Sequence, residues 1–555
     1  MAAIVAAAAA HARISTPPIL SSDMVLQQGR PVPVWGKAAP GERITVTFGK
    51  QKTSTRAASD SSWRVTLKPM AASATPRTLT IKGRRETIEY TNVVVGEVWI
   101  ATGQSNMQYS MRRHKAFVPP AHGVDSAIVE MQKPANAMLR VYVSARKGQR
   151  PWAPASGESL PDVSTVGYYF ARSLQRSLNV PVGIITAALG GTHIETWTPR
   201  AAYEASPLFA AEMGQRGRID GIGPGQWYAT FVEPLLPFAV RGFAWYQGEN
   251  NCGSGDRRYA DKFKVMADWW RKAFDAPDAP FYYVLLAPHV YSDRMHRHNH
   301  GPQTAETLPL FREQQKRAGK LAGNCEYVCI TDLVDDIHDI HPSYKWTVGA
   351  RLARVALAKT YGHGGTEWSG PRFKAARAAG GKLTVTFSHC ADSLRAADGK
   401  RIGWFEVAGD DGIFHPAVAD IQSDSTVVAY SVDVASPRYV RFGWHETAQP
   451  NLENSAGLPA VPFAAMKAGD RTGPRRQPPR ATLWATTSCK TGRLTFPNGT
   501  YHKAKQAVRH CRTACLPTSP TLQRPVVNAT RRPQAGRTGG RGRRTPPCRR
   551  HSRSA

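Results

Sequence analysis

Between Val93 and about Gly362 the chain repeats one pattern, a short β-branched run followed by a longer stretch with helical spacing. The runs are Val93–Val98, Val182–Ala187, Gly242–Tyr246, Phe281–Leu286 and Tyr327–Thr331, and the helical stretches include Tyr168–Leu178, Tyr259–Phe274 and Val348–Tyr361. Alternation of this kind predicts a three-layer α/β domain on a mainly parallel sheet. Open sheets of that type take their ligands at the carboxyl edge of the strands, so chemistry-bearing residues are sought just after each run.

The segments on either side read differently. From Arg13 to about Val95 short strand-like runs such as Val32–Gly36, Ile44–Gly49, Trp63–Leu67 and Leu79–Gly83 are separated by Pro40-Gly41 and Ser59–Ser62, which predicts a small β-sandwich. The strand pattern returns from about Trp368 to Phe463, in Lys382–Phe387, Trp404–Ala408, Thr426–Tyr430 and Tyr439–Phe442. The expected organisation is a leader remnant over 1–12, a β domain over 13–93, a catalytic domain over 94–364, a second β domain over 365–468 and a tail over 469–555.

Composition matters for the tail. The chain has 555 residues and a formal net charge of +32, which an evenly basic protein would carry for a nucleic-acid or anionic-surface partner. The charge is uneven: the 85 residues after Asp470 hold 20 basic and no acidic side chains, and four of the eight cysteines (Cys489, Cys511, Cys515, Cys548). Rich in Arg, Pro, Gly and Thr and without periodicity, this stretch is expected to be disordered, as a polybasic extension or the product of a shifted reading frame. The body is only mildly basic, so no nucleic-acid partner is expected. No run reaches the ~20 apolar residues of a membrane span; the apolar run Ala2–Ala10 followed by Ala10-His11-Ala12, without a charged n-region, reads as a clipped signal peptide, the alternative being an Ala-rich disordered start, and secretion or a periplasmic location is expected. Cys252, Cys325, Cys329 and Cys390 show neither zinc spacing nor a disulfide framework and are expected to be buried thiols.

The sharpest local feature is Val95-Gly96-Glu97-Val98-Trp99-Ile100-Ala101-Thr102-Gly103-Gln104-Ser105-Asn106-Met107. A buried strand runs into Gly103 and Ser105 follows where a helix can begin, exposing a hydroxyl at the strand's carboxyl end. A serine nucleophile needs a base and a group to orient it, and Asp335-Asp336-Ile337-His338-Asp339-Ile340-His341-Pro342 offers both late in the same domain. An ordinary strand–helix turn has the same Gly-x-Ser spacing, so the residues alone leave both readings open.

Taken with Gly190-Gly191-Thr192, Ile194-Glu195-Thr196-Trp197, Trp245-Tyr246-Gln247-Gly248-Glu249-Asn250, and Lys345 and Gly349 after Asp339-Ile340-His341-Pro342, the chain resembles the sialate O-acetylesterase family of SGNH-type serine hydrolases. Ser22–Gln27 with Pro31–Gly36 and Asn451–Asn454 with Gly457–Pro459 extend the resemblance over about 450 residues. It implies an SGNH-like three-layer α/β domain between β-sandwich domains, with Ser105 as nucleophile, His341 as base and then acid, and Asp339 orienting the imidazole. The tandem Asp336-Ile337-His338 competes for the last two roles, but only His341 is followed by Pro342 and the Lys345–Gly349 pattern. An oxyanion needs preorganised donors, each worth ~3–4 kcal/mol in the transition state. The backbone N–H of Ser105, the Gly190-Gly191 turn and an amide from Gln247 or Asn250, with Gln247 favoured, are the expected set.

Asn106, Glu249, Asn250 and Arg312 are the expected substrate contacts, Glu249 alternatively holding a loop. The implied activity is hydrolysis of O-acetyl esters on carbohydrate, foremost O-acetylated sialic acid, with no metal or cofactor. Acetylated polysaccharide such as xylan is the alternative substrate, and a non-catalytic carbohydrate-binding relative the alternative class. His296, His298 and His300 alternate as metal ligands can, but their setting of Ser292, Asp293, Arg294, Gly301 and Pro302 reads as a solvated loop.

Overall fold

The computed structural model describes residues 13–112, 120–123, 126–146, 148–293 and 303–469. The expected leader, the His296/His298/His300 cluster and the segment after Gly469 lie outside the described residues. No described helix is long and apolar enough to cross a membrane. Cys252, Cys329 and Cys390 are buried free thiols, whereas Cys325 is half-buried, its Sγ beside the Arg271 guanidinium and the Gly323 carbonyl.

Six strands build the parallel part of the central sheet: β1 (Thr87–Gly103), β2 (Asn136–Val143), β3 (Val182–Ala188), β4 (Gly242–Tyr246), β5 (Phe281–Val284) and β6 (Cys325–Val328). Their spatial order is β6-β5-β4-β1-β3-β2, closed by the antiparallel edge strand Arg150–Ala155. The chain leaves β1 to build β2 and β3 on one side, then crosses to add β4, β5 and β6 on the other. β1 is therefore the switch point, and Gly103 at its end is in register with both Ala188 of β3 and Tyr246 of β4. Three strand ends open onto one crevice.

β1 is unusually long at 17 residues, and its burial changes character along its length. From Thr87 to Asn92 exposed and half-buried residues alternate, and from Val93 to Gly103 every residue is buried. The first part pairs antiparallel with Ser73–Lys82 in the N-terminal β region, where one face meets solvent. The second part lies between parallel strands covered on both faces, which is why it reads as an unbroken apolar run.

Helices Thr165–Leu178 and Lys345–Lys359 cover one face of the sheet. The Ser164 hydroxyl caps the first by accepting the Gly167 N–H at 3.0 Å, and Asn179 ends it in the left-handed conformation. The two pack closely at Gly349, where a Cβ would lie 2.5 Å from the Val166 carbonyl oxygen. Tyr259–Ala273 and Thr307–Ala322 cover the other face against β5 and β6. Past Pro371 a sandwich forms from two four-stranded sheets, and Val385, Phe387, Phe405, Val427, Val440 and Phe442 make a core separate from that of the α/β domain. The N-terminal β region instead shares its core with the α/β domain.

Candidate active site

Ser105 sits where β1 stops. Gly103 has φ +137°, and a Cβ there would fall 2.1 Å from the Tyr246 carbonyl oxygen, so glycine is required for the strand to turn this close to β4. The Gln104 N–H donates to that same oxygen at 3.0 Å, and the one-turn helix Ser105–Gln108 begins at once. Gly190, just past β3, lies against the serine: a Cβ on it would be 3.1 Å from the Ser105 Cβ. β1, β3 and β4 thus place the hydroxyl, the glycine turn and the Gln247–Asn250 loop around one point.

The donors around that point are not equivalent. The N–H groups of Ser105 and Gly191 meet no acceptor among the described residues. The Gly190 N–H donates to the Gln108 Oε1 at 2.8 Å, so an oxyanion would have to displace this side chain to use it. Gln247 departs from expectation. It is fully buried, and its amide nitrogen donates within a network of Gln104 Oε1 (3.1 Å), the Thr192 carbonyl (3.0 Å) and Asn251 Oδ1 (2.8 Å), while its Oε1 accepts from Tyr259. With both protons directed at protein oxygens it holds the loop rather than donating to substrate. Asn250, in the same loop, is half-buried, and its side-chain amide has no partner among the described residues.

The Asp339–His341 pair lies in the loop after β6. Asp339 Oδ1 accepts the His341 backbone N–H at 2.8 Å and lies 3.5 Å from the His341 Nδ1. Asp336 repeats the first of these contacts with the His338 N–H, but both of its residues are exposed. The loop is tied to the serine's helix through Asn106, whose Nδ2 donates to the Ile340 carbonyl at 3.0 Å. Residues next to Ser105 and next to His341 are therefore joined by one hydrogen bond.

Three of the expected substrate contacts lie beneath this surface instead. Asn106 is 1% exposed and bridges Ile340 to the Glu249 carboxylate; Glu249 is itself buried, and burial raises its pKa against the lowering effect of the Asn106 hydrogen bond. Arg312 is 2% exposed, donates from Nε to the Leu286 carbonyl at 2.9 Å and is packed near Tyr246 and Cys252. The reason is common to all three: the motif positions face neighbouring elements across the layer under the crevice, not the crevice.

Lys345 belongs to the same layer. It is fully buried, donates to the Pro342 carbonyl just after His341, and lies over the Tyr109 ring at 4.9 Å. Burial pushes its ammonium down to about 7, against the opposing pull of Glu249 and Asp339. Because its folded-state pKa is below the unfolded value, the unfolded chain binds more protons between pH 7 and about 10, and stability from this group grows as pH rises through that window. Calorimetric melting of wild type and Lys345→Met is expected to show the difference between them shifting in favour of the wild type from pH 7 to pH 9. Parallel curves would remove Lys345 as a titrating group.

A second buried network backs the loop. Asn251 accepts from Gln247 and from the Ile194 N–H, and donates to Glu195 (3.1 Å) and Asp256 (2.9 Å). Glu195, Asp220 and Asp256 converge as metal-binding carboxylates do, but the Lys262 ammonium stands among them at 2.5–2.7 Å. Burial would depress Lys262; Glu195, Asp256 and Asp220 outweigh it and hold the ammonium charged.

The architecture and this crevice have known counterparts. A family model described as a carbohydrate esterase, sialic acid-specific acetylesterase, matches residues 95–358. The crystal structure of a carbohydrate acetylesterase from Xanthomonas citri is 31% identical, superposes with a TM-score of 0.69, and is covered over 99% of its length by 81% of this chain. The chain belongs to the sialate O-acetylesterase family of carbohydrate esterases. Curated sialate O-acetylesterases agree: the Homo sapiens protein is 27% identical over 400 residues, spanning 63% of this chain and 72% of that one, and the Mus musculus protein is 24% identical over 414 residues. This member of the family is a carboxylic ester hydrolase that cleaves O-acetyl esters on carbohydrate. Sequence reasoning gave no role to Gln104, Gln108, Asn251 or Lys345 in this esterase. Gln104 and Lys345 lie inside motifs already quoted, and their location there was the available signal.

Proposed function

We propose that Ser105 attacks the acetyl carbonyl of an O-acetylated sialic acid, with His341 as general base and Asp339 orienting the imidazole. The observation that carries this reading is the convergence at Gly103, where three parallel strand ends place Ser105 against Gly190 and a hydrogen bond from Asn106 draws in the His341 loop. As the Ser105 Oγ bonds to the carbonyl carbon, its proton passes to His341, and the oxyanion is met by the N–H groups of Ser105 and Gly191 and the Asn250 amide. Collapse expels the sugar hydroxyl, which takes the proton from His341 and leaves an acetyl-serine. Water, deprotonated by His341, then attacks the acetyl group and releases acetate and the free serine. Proton transfer of this kind is worth ~10²–10⁴-fold. A secreted or periplasmic location goes with this reading.

His341→Ala is expected to lower kcat on a chromogenic acetate by at least ~10³-fold, and His338→Ala to leave it within about threefold. An exchange of those two outcomes would move the base to His338 and the acid to Asp336. The Xanthomonas citri relative is a carbohydrate acetylesterase named for no particular sugar, so polysaccharide acetate is the second reading. Assay of 9-O-acetyl sialic acid beside acetylated xylan separates the two.

A further inference from the structure

A cleft of about 710 Å³ opens in the N-terminal β region, far from the crevice just described, and its lining includes Trp35, Trp63, Lys37, Arg56, Arg64 and Pro237. The sequence builds it through strand periodicity. Val32–Lys37 pairs antiparallel with Ser62–Leu67, and the register sets Trp35 opposite Arg64 and Lys37 opposite Ser62. Side chains two apart on a strand share a face, so Trp35, Lys37 and Arg64 stand on one face while Val34 and Val65 are buried behind it.

Among the described residues no carboxylate forms an ion pair with Arg56 or Arg64, and Lys37 feels the Asp60 charge while its ammonium bonds only the Asp60 carbonyl. Lys37, Arg56 and Arg64 are all exposed. Lys37 donates to the Asp60 carbonyl (3.2 Å) and Arg56 to the Gly41 carbonyl (3.0 Å), and the Asp60 carboxylate is turned onto the N–H and hydroxyl of Ser62. Trp63 alternates with Arg64 and so lies on the buried side with Val65, at 3% exposed, and Trp35 supplies the accessible aromatic face. Residues 13–95 hold thirteen basic against five acidic side chains, so most of the net positive charge of residues 1–470 is in this region. An aromatic surface flanked by exposed cations that hold no carboxylate in an ion pair suits a ligand with an apolar ring face and a carboxylate.

Pro237 precedes β4, so the cleft lies at the entry edge of the parallel sheet, whereas Ser105 follows its exit edge. Five residues of β4 at ~3.3 Å each put roughly 15 Å or more of strand between the two. We propose that this cleft is a second, non-catalytic binding site for a carboxylate-bearing saccharide, which holds an acidic glycan on the enzyme while its esters are cut at the opposite edge. That the anion is a sugar rests on the carbohydrate reading of the active site; the demand for a carboxylate beside an apolar face does not.

The test is calorimetric titration of the full chain with 3′-sialyllactose and with lactose, neither of which carries an ester. Sialyllactose is expected to bind at least tenfold more tightly than lactose. The Lys37→Gln/Arg64→Gln double variant is expected to lose that affinity at least tenfold while hydrolysing 4-nitrophenyl acetate at the wild-type rate. Trp35→Ala is expected to weaken binding of both sugars. Equal affinity for the two sugars, or a double variant that binds as the wild type does, overturns the proposal. Because the ligands are not substrates, a failure of the Ser105 assignment would leave this measurement unchanged.

Discussion

Ser105→Ala is expected to lower kcat on an activated acetyl ester by about 10⁴-fold or more while leaving the melting temperature within ~2 °C of wild type. The size follows from the role: nucleophile, base and oxyanion donors act as one unit, and removal of the attacking atom leaves only binding and donor stabilisation. The small effect on folding follows from the structure. Ser105 is half-buried, its neighbours Gln104, Asn106 and Met107 make the local contacts, and loss of one oxygen leaves the turn at Gly103 intact. Steady-state kinetics with a chromogenic acetate, read beside a thermal melt, is the measurement. Activity within tenfold of wild type would reject Ser105 as the nucleophile.

Lys262→Met is expected to destabilise the protein by about 3–5 kcal/mol, because it leaves Glu195 and Asp256, 1% and 5% exposed, without the cation that compensates them. In a melt this is a fall of about 4–7 °C for a cooperative unit of about 350 residues. Activity should fall as well, since Glu195 and Asp256 hold Asn251, Asn251 holds Gln247, and Gln247 reaches the residue before the nucleophile. The triple variant that adds Glu195→Gln and Asp256→Asn removes the buried charges together and is expected to recover much of the loss. A single variant melting within ~2 °C of wild type would show that the four charges do not form a stabilising unit.

The α/β core was legible because parallel strands buried on both faces are apolar at every position, as in Val182–Ala187 and Gly242–Tyr246. The helix Thr307–Ala322 was not read: Pro309 stands in its first turn and Arg312–Arg317 is continuously polar, so its apolar stripe is thin. The strand Asn136–Val143 was missed for a related reason, since the buried Arg140 interrupts its apolar pattern and is admitted by its contacts with Asp23 and Asn92, far away in sequence, and with the Ala137 carbonyl. At the site, residue types and order were visible in the motifs, but direction was not. Asn106, Glu249 and Arg312 carry the same polar groups whether they face a sugar or a neighbouring helix. Only the tertiary structure shows that they face inward.

The two halves of β1 have a consequence for how such an enzyme can be cut or inherited. The strand is one continuous rod, half woven into the N-terminal β region and half forming the spine that ends at Ser105. Near its midpoint the buried Glu97 accepts from Arg241 of the catalytic domain, from Tyr361 at the end of a covering helix, and from Gln27 and Gln28 of the N-terminal region. A fragment that starts at Val95, where the family match begins, would sever the rod, expose the shared apolar core and strip Glu97 of two of its donors. The conventional unit of recombination, a domain with its own core and a soft linker, does not describe this junction. Exchange among relatives would have to carry the N-terminal region and the catalytic domain as a single cassette, leaving only the C-terminal sandwich, with its separate core, free to be traded.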